Sequence, residues 1–202
     1  MIARRAAARR PGCAFVVSSP SGGGKTTMVE QLLHTMPRLV RSVSVTTRSR
    51  RRGERQGTHY HFVSLAAFQR LRRAGHLLEW AKVHSAYYGT PKPPILQALA
   101  KGRDVILSID VQGARQVRRA LGRRAALIFL LPPSMDRLRR RLLRRRTETA
   151  AAVRQRLAAA RREIACARWY DYSVVNDRLE QAVADVKHII TTGRNQATQR
   201  RG

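Results

Sequence analysis

The sequence predicts an α/β domain built around a parallel sheet, and three features predict it. From residue 13 onward, short apolar, β-branched runs alternate with segments of helical periodicity. Two of those runs, DVILSID (104–110) and AALIFLL (125–131), are apolar almost throughout, as parallel strands covered on both faces must be. A glycine-rich loop lies between the first strand and the first helix. At 202 residues, against roughly 150 per domain, the chain is one domain carrying two small excursions, at 47–91 and 138–157.

The elements follow in order. Residues 1–12 form a basic flexible arm, and CAFVVSS from Cys13 is a buried strand. PSGGGKTT is the loop, and Val29, Leu32, Leu33 and Met36 set the repeat of the helix behind it. VRSVSVTT (40–47) reads as one strand and RSRRRGERQG as a loop. HYHFV (59–63) and LLEWAKV (77–83) read as strands with a short helix at 65–73 between them. YYGTPKPP is a turn-rich linker, and ILQALAKG is a short helix stopped by Gly102. Helical VQGARQVRRAL separates the two apolar strands. An Arg/Ala segment (135–168) is helical, with a break near RRRTET; YSVVN (172–176) is the last strand and LEQAVADVKHII the last helix, before a tail at 193–202. Alternation of this kind makes βαβ units and a parallel sheet.

Composition narrows the function. The formal charge is +29, and of 41 Lys and Arg only five are lysine. A skew toward arginine and alanine follows from the codon usage of a GC-rich genome; a field this large also draws polyanions non-specifically at low salt. A 43% hydrophobic content supplies a real core and argues against a disordered polycation. With aromatics at 5% and no stacking motif, a nucleic-acid-binding protein is disfavoured. No apolar run reaches the roughly 18–20 residues of a membrane span, and no apolar stretch follows the basic start as in a secretory signal. Cys13 and Cys166 are too few for a disulfide framework and lack zinc spacing, so a reducing cytoplasm is expected. The six histidines do not cluster at metal spacing, and Trp80 and Trp169 read as core.

Ser19-Pro20-Ser21-Gly22-Gly23-Gly24-Lys25-Thr26, with Thr27 behind it, nearly matches G-x-x-x-x-G-K-[ST]. Glycines let successive backbone N–H groups converge on phosphate oxygens, and the following helix adds its positive N-terminal end. Lys25 would reach the β- and γ-phosphates, and the Thr26 hydroxyl would ligate Mg²⁺ directly. The departure is Ser19, where the pattern has glycine.

Beyond the loop, SVSVTTR (42–48), RGE (52–54), GTHYHFV (57–63), LLEWAKVHSAYYGT (77–90), VILSIDVQGA (105–114), IFLLPPS (128–134) and VVND (174–177) stand in the order found in guanylate kinases, which the chain resembles from residue 13 to about 192. The resemblance implies a P-loop kinase fold: a five-stranded parallel core sheet flanked by helices (13–46 and 92–192), a mixed β/α excursion binding the acceptor GMP (47–91), and a helical lid (138–157). It implies transfer of the γ-phosphate of Mg-ATP to GMP or dGMP, in a monomer or homodimer. By resemblance Glu79 accepts the guanine N1–H and 2-amino donors, with Ser44, Thr90 and Asp110 nearby. Adenine, with an acceptor at N1, would leave that carboxylate unpaired.

Arg48, Arg51, Tyr60 and Tyr88 match positions that hold the acceptor phosphate, and Glu54 orients an arginine of that loop. Arg141, Arg145 and Arg156 match the lid arginines of catalysis, in a stretch where seven of ten residues (137–146) are arginine. Ser108 stands where many members carry an acid, leaving Asp110 alone to steady the water shell of Mg²⁺. Related domains that bind phosphorylated peptides without catalysis lack the intact loop this chain has.

Overall fold

A computed structural model describes residues 11–83, 85–143 and 150–199. The central sheet is built from Ala14–Ser18 (β1), Leu39–Arg41 (β2), Asp104–Ser108 (β7), Ala125–Leu131 (β8) and Tyr172–Val175 (β9), in the order β2-β7-β1-β8-β9. Every pairing in it is parallel, so the five-stranded parallel core is as expected. Side chains alternate between two apolar layers. Ala14, Val16, Val105, Leu107, Leu127 and Phe129 pack on one face, and Phe15, Val17, Ile106, Ile128 and Leu130 on the other.

The first layer is closed by Lys92–Ala100 (α3) and Val111–Leu121 (α4), through Leu99, Ala114 and Val117. The second is closed by Lys25–Thr35 (α1) and Leu179–Gln199 (α7), through Met28, Leu32, Val186 and Ile190. Coverage on both faces is why these strands carry no polar alternation. Cys13 sits in the second layer as a small apolar residue.

A second sheet, in the order β4-β3-β6-β5, is made from Val45–Thr46 (β3), His61–Phe62 (β4), Leu77–Val83 (β5) and Ala86–Pro91 (β6). It is mixed: β3 and β4 are parallel, while β6 runs antiparallel to both β3 and β5. Leu65–Arg73 (α2) packs beside it, capped by the Ser64 hydroxyl accepting from Ala67 N. Met135–Leu143 (α5) and Ala150–Ala165 (α6) share a small core of Leu138, Leu142, Val153 and Ala160.

Four local expectations change. The span 40–47 is two strands in two sheets, because the chain leaves the core after Arg41, with Ser42 N bonded to Ile106 O, and re-pairs at Val45. HYHFV shortens to a two-residue strand. The span read as a turn-rich linker is strand β6 running into α3. Pro93 and Pro94 lie in the first turn of that helix, where backbone N–H groups have no intrahelical partner to lose. Trp80 and Trp169 are half-buried and stack under Arg72 and Arg115.

Candidate active site

The loop from Ser19 to Gly24 emerges from β1 and feeds α1. Gly22 and Gly24 hold φ of 83° and 93°, which a side chain resists. A Cβ on Gly23 would stand 2.5 Å from Ser19 Oγ, and one on Gly24 2.5 Å from Asn176 Nδ2. The expected departure at Ser19 is thereby put to use. Its hydroxyl donates to Pro20 O (3.0 Å) and accepts from Lys25 Nζ (3.2 Å). Lys25 Nζ also donates to Ser19 O at 2.5 Å, so in the free protein the ammonium is folded onto its own loop.

Burial pushes the Lys25 pKa down, and the carboxylates of Glu163 and Asp110 oppose that shift. Glu163 lies two turns beyond Arg156 on α6. Arg156, Ala159 and Glu163 present one helical face to the cleft. Burial raises the Glu163 pKa while Lys25 lowers it.

Loop, lysine and acceptor-side residues line one cavity of about 400 Å³. It contains every residue from Ser19 to Thr27, with Ser44, Arg51, Tyr60, Glu79, Tyr88, Ser108, Asp110 and Arg156. Glu79 is only 3% exposed. Strand register places it opposite Thr90, whose hydroxyl donates to Glu79 Oε1 at 2.6 Å. Burial pushes its pKa up to about 7, against the lowering effect of the Thr90 bond and with a smaller raising contribution from Asp110.

Helix α4 aims this carboxyl. Gln116 clamps the β5 backbone, accepting from Trp80 N (3.1 Å) and donating to Trp80 O (2.7 Å). A Cβ on Gly113 would fall 2.4 Å from Glu79 Oε2, so only glycine leaves the acid its place. Asp110 caps that helix, its Oδ1 accepting from Gly113 N at 2.9 Å.

At the acceptor end, Arg48 and Glu54 make a bidentate pair at 2.8 and 2.7 Å. Arg48 Nε also donates to Tyr88 Oη (3.2 Å), and its guanidinium lies 5.2 Å from the centre of the Tyr60 ring. Arg51 donates its backbone N–H to Glu54 at 2.8 Å. The Arg48 partner drives the Glu54 pKa down to about 2.

The arginines expected in the lid divide. Arg156 Nη1 lies 3.4 Å from Ser21 Oγ of the glycine loop. Arg141 instead turns to Asn176, donating to its carbonyl at 3.0 Å, and does not line the cavity. Arg145 lies outside the described residues. Helix α5 packs directly on the loop, since a Cβ on Gly22 would meet Leu142 Cδ2 at 3.1 Å.

Two residues were missed in the sequence reading. Asn176, 4% exposed at the end of β9, donates Nδ2 to Gly23 O at 2.9 Å and so ties the loop to the last strand. Glu163 was the other; its signal was a rare acid seven residues from an expected lid arginine. Among the described residues no cluster of three or more His, Cys, Asp or Glu could hold a metal by itself, and no helix is long and apolar enough to cross a membrane.

The family model described as Guanylate kinase matches residues 12–193. The guanylate kinase of Rhizobium etli is 47% identical over 193 residues, covering 96% of this chain and 88% of that protein. That of Oleidesulfovibrio alaskensis is 48% identical over 178 residues, covering 88% and 86%. Among solved structures, the guanylate kinase from Anaplasma phagocytophilum matches with a TM-score of 0.77 and 34% identity, over 91% of this chain and 87% of that one. With its loop, its two sheets and a family match over nearly the whole sequence, the chain belongs to the guanylate kinase family.

Proposed function

We infer that the protein transfers the γ-phosphate of ATP to GMP or dGMP, giving ADP and GDP or dGDP. One observation carries the reading: a buried carboxyl, Glu79, and a main-chain phosphate cradle share a single cavity. Guanine offers two adjacent donors, N1–H and the 2-amino group, and ionised Glu79 accepts both while Thr90 holds it in place. Arg48, Arg51, Tyr60 and Tyr88 receive the acceptor phosphate, with Glu54 keeping Arg48 in the required orientation.

At the other end the loop amides hold the donor phosphates, and Lys25 swings off Ser19 to neutralise their developing charge. Glu163 and Asp110 favour the charged ammonium at that position. Arg156 comes from the lid to the same phosphates, and Arg141 braces the loop through Asn176. Phosphoryl transfer asks mainly for this positioning and charge, and closure of the two excursions keeps water from accepting the phosphoryl group.

The oxygen donors of Thr26 and Asp110 suit Mg²⁺, the former directly and the latter through water. Mg²⁺ arriving with ATP would offset phosphate charge, and with no cluster of acids to cage it among the described residues, the nucleotide would supply most of its ligands.

The test is ADP release from Mg-ATP with GMP, dGMP, AMP or no acceptor. Turnover is expected with GMP and dGMP, and little with AMP. Lys25→Ala should lower the rate by about 10³-fold or more, and Glu79→Gln should lower kcat/KM for GMP by about 10²-fold or more. Equal rates with AMP, or indifference to Lys25, would refute the reading.

A further inference from the structure

A second cavity, of about 160 Å³, opens beside the first and shares Thr26, Ser44, Arg51, Tyr60 and Ser108 with it. Its own wall includes Arg41, Arg48, Glu54 and His59, together with Ser42, whose buried Oγ has no hydrogen-bond partner among the described residues. Family resemblance gives Arg41 no role. Arg41 ends β2 and pairs with Ile106 of β7, so its side chain leaves the same sheet face as Ile106 and, two residues on, Ser108. It is half-buried, and among the described residues no carboxylate pairs with it.

The charges in this cavity can be counted. Three guanidinium groups and one carboxylate line it. His59 accepts the Arg55 N–H on Nδ1, as a neutral imidazole does. Arg48 and Glu54 cancel in net charge in their bidentate pair, so Arg48 can still touch a phosphate but adds no net charge, and the uncompensated charge is that of Arg41 and Arg51. A phosphate monoester carries a charge of about −1.5 to −2 near pH 7. Two free guanidinium groups match it; Arg51 alone does not.

We propose that Arg41 is a further binding residue for the acceptor's phosphate, and that Ser108 is what leaves its charge available. This deepens the GMP kinase reading and rests on it. An acid at position 108 would sit on the same face of the neighbouring strand, pair with Arg41 and remove one unit of charge from the cavity. Serine there is neutral and small. In this chain the loss of the expected acid is therefore matched by the gain of a phosphate ligand.

The test is calorimetric binding of GMP and of guanosine, without ATP or divalent metal, to the full-length protein and to Arg41→Gln, Arg41→Lys, Ser108→Asp and the Arg41→Gln/Ser108→Asp double variant, with melting temperatures to confirm folding. Arg41→Gln should weaken GMP about 10- to 100-fold, the scale of a charge-assisted phosphate contact, and leave guanosine within about twofold. Arg41→Lys should recover part of the loss, keeping the charge but not the fork. Arg41→Gln should cost less GMP affinity when Asp occupies position 108 than when Ser does, since the acid has already engaged the arginine. Unchanged GMP affinity in Arg41→Gln, equal losses for GMP and guanosine, or additive effects of the two substitutions would overturn the proposal while leaving the GMP kinase reading intact. An unmodified protein that binds neither ligand would overturn both.

Discussion

The two ends of the cleft are built differently: the proposed donor end offers phosphate its main chain, and the proposed acceptor end offers its ligand side chains. At the donor end, one contiguous run from Ser19 to Thr27 supplies the cradle, and what it needs is the lack of Cβ atoms at Gly23 and Gly24. At the acceptor end, Ser44, Arg48, Tyr60, Glu79 and Tyr88 come from separate strands and loops, and what they need is orientation by Glu54, Thr90 and Gly113. The donor end grips what all nucleoside triphosphates share. On the proposed reading the acceptor end reads one base, and a buried acid that must be ionised to do so makes it the pH-sensitive half.

That contrast yields its largest effect at Glu79. Guanosine binding should strengthen about tenfold from pH 6 to pH 8, as a carboxyl pushed up to about 7 ionises to accept the two guanine donors. Guanosine in place of GMP keeps the ligand's own phosphate titration out of the measurement. Glu79→Gln should bind weakly at both pH values; an equal slope in that variant would break the comparison. The same raised pKa means Glu79 favours the fold below its unfolded value near 4.5, and that contribution is lost as pH rises through about 7.

A second effect, of similar size, sharpens the comparison from α4. Gly113→Ala should displace the Glu79 carboxyl and weaken GMP about tenfold, with ATP affinity unchanged and the helix itself no less stable. Equal losses for the two nucleotides in paired titrations would show that the ends are not separable. Least of all, Asn176→Ala should act at the donor end alone. It leaves Gly23 O without its partner, costing about 1–2 kcal/mol in denaturant unfolding, and weakens ATP a few-fold without touching GMP.

The contrast also explains what could be read in advance. The donor cradle was legible because its chemistry is local: strand, glycines, lysine and helix follow one another in the chain. The parallel core was legible because strands covered on both faces lose their polar alternation. The acceptor sheet was not. Strand β6 contains Gly89 and ends on Pro91, and such residues read as a turn. The structure gives Gly89 another reason: a Cβ there would lie 3.1 Å from Glu79 O on the neighbouring strand. Periodicity cannot show that residues 39–46 pass from one sheet to another. The Arg48–Glu54 pair was legible only by resemblance, since arginine saturates that loop. Asn176 clamps through a single side-chain amide 153 residues from its target, a contact no local pattern encodes.

The central claim is that one buried carboxyl reads the purine while the glycine loop holds the donor. A crystal structure with GMP and a non-hydrolysable ATP analogue tests it most directly. The account predicts both Glu79 oxygens within about 2.7–3.2 Å of the guanine N1 and 2-amino nitrogens, with the analogue's phosphates on the amides of residues 21–26. A base bound elsewhere, with Glu79 still bonded only to Thr90, would contradict it.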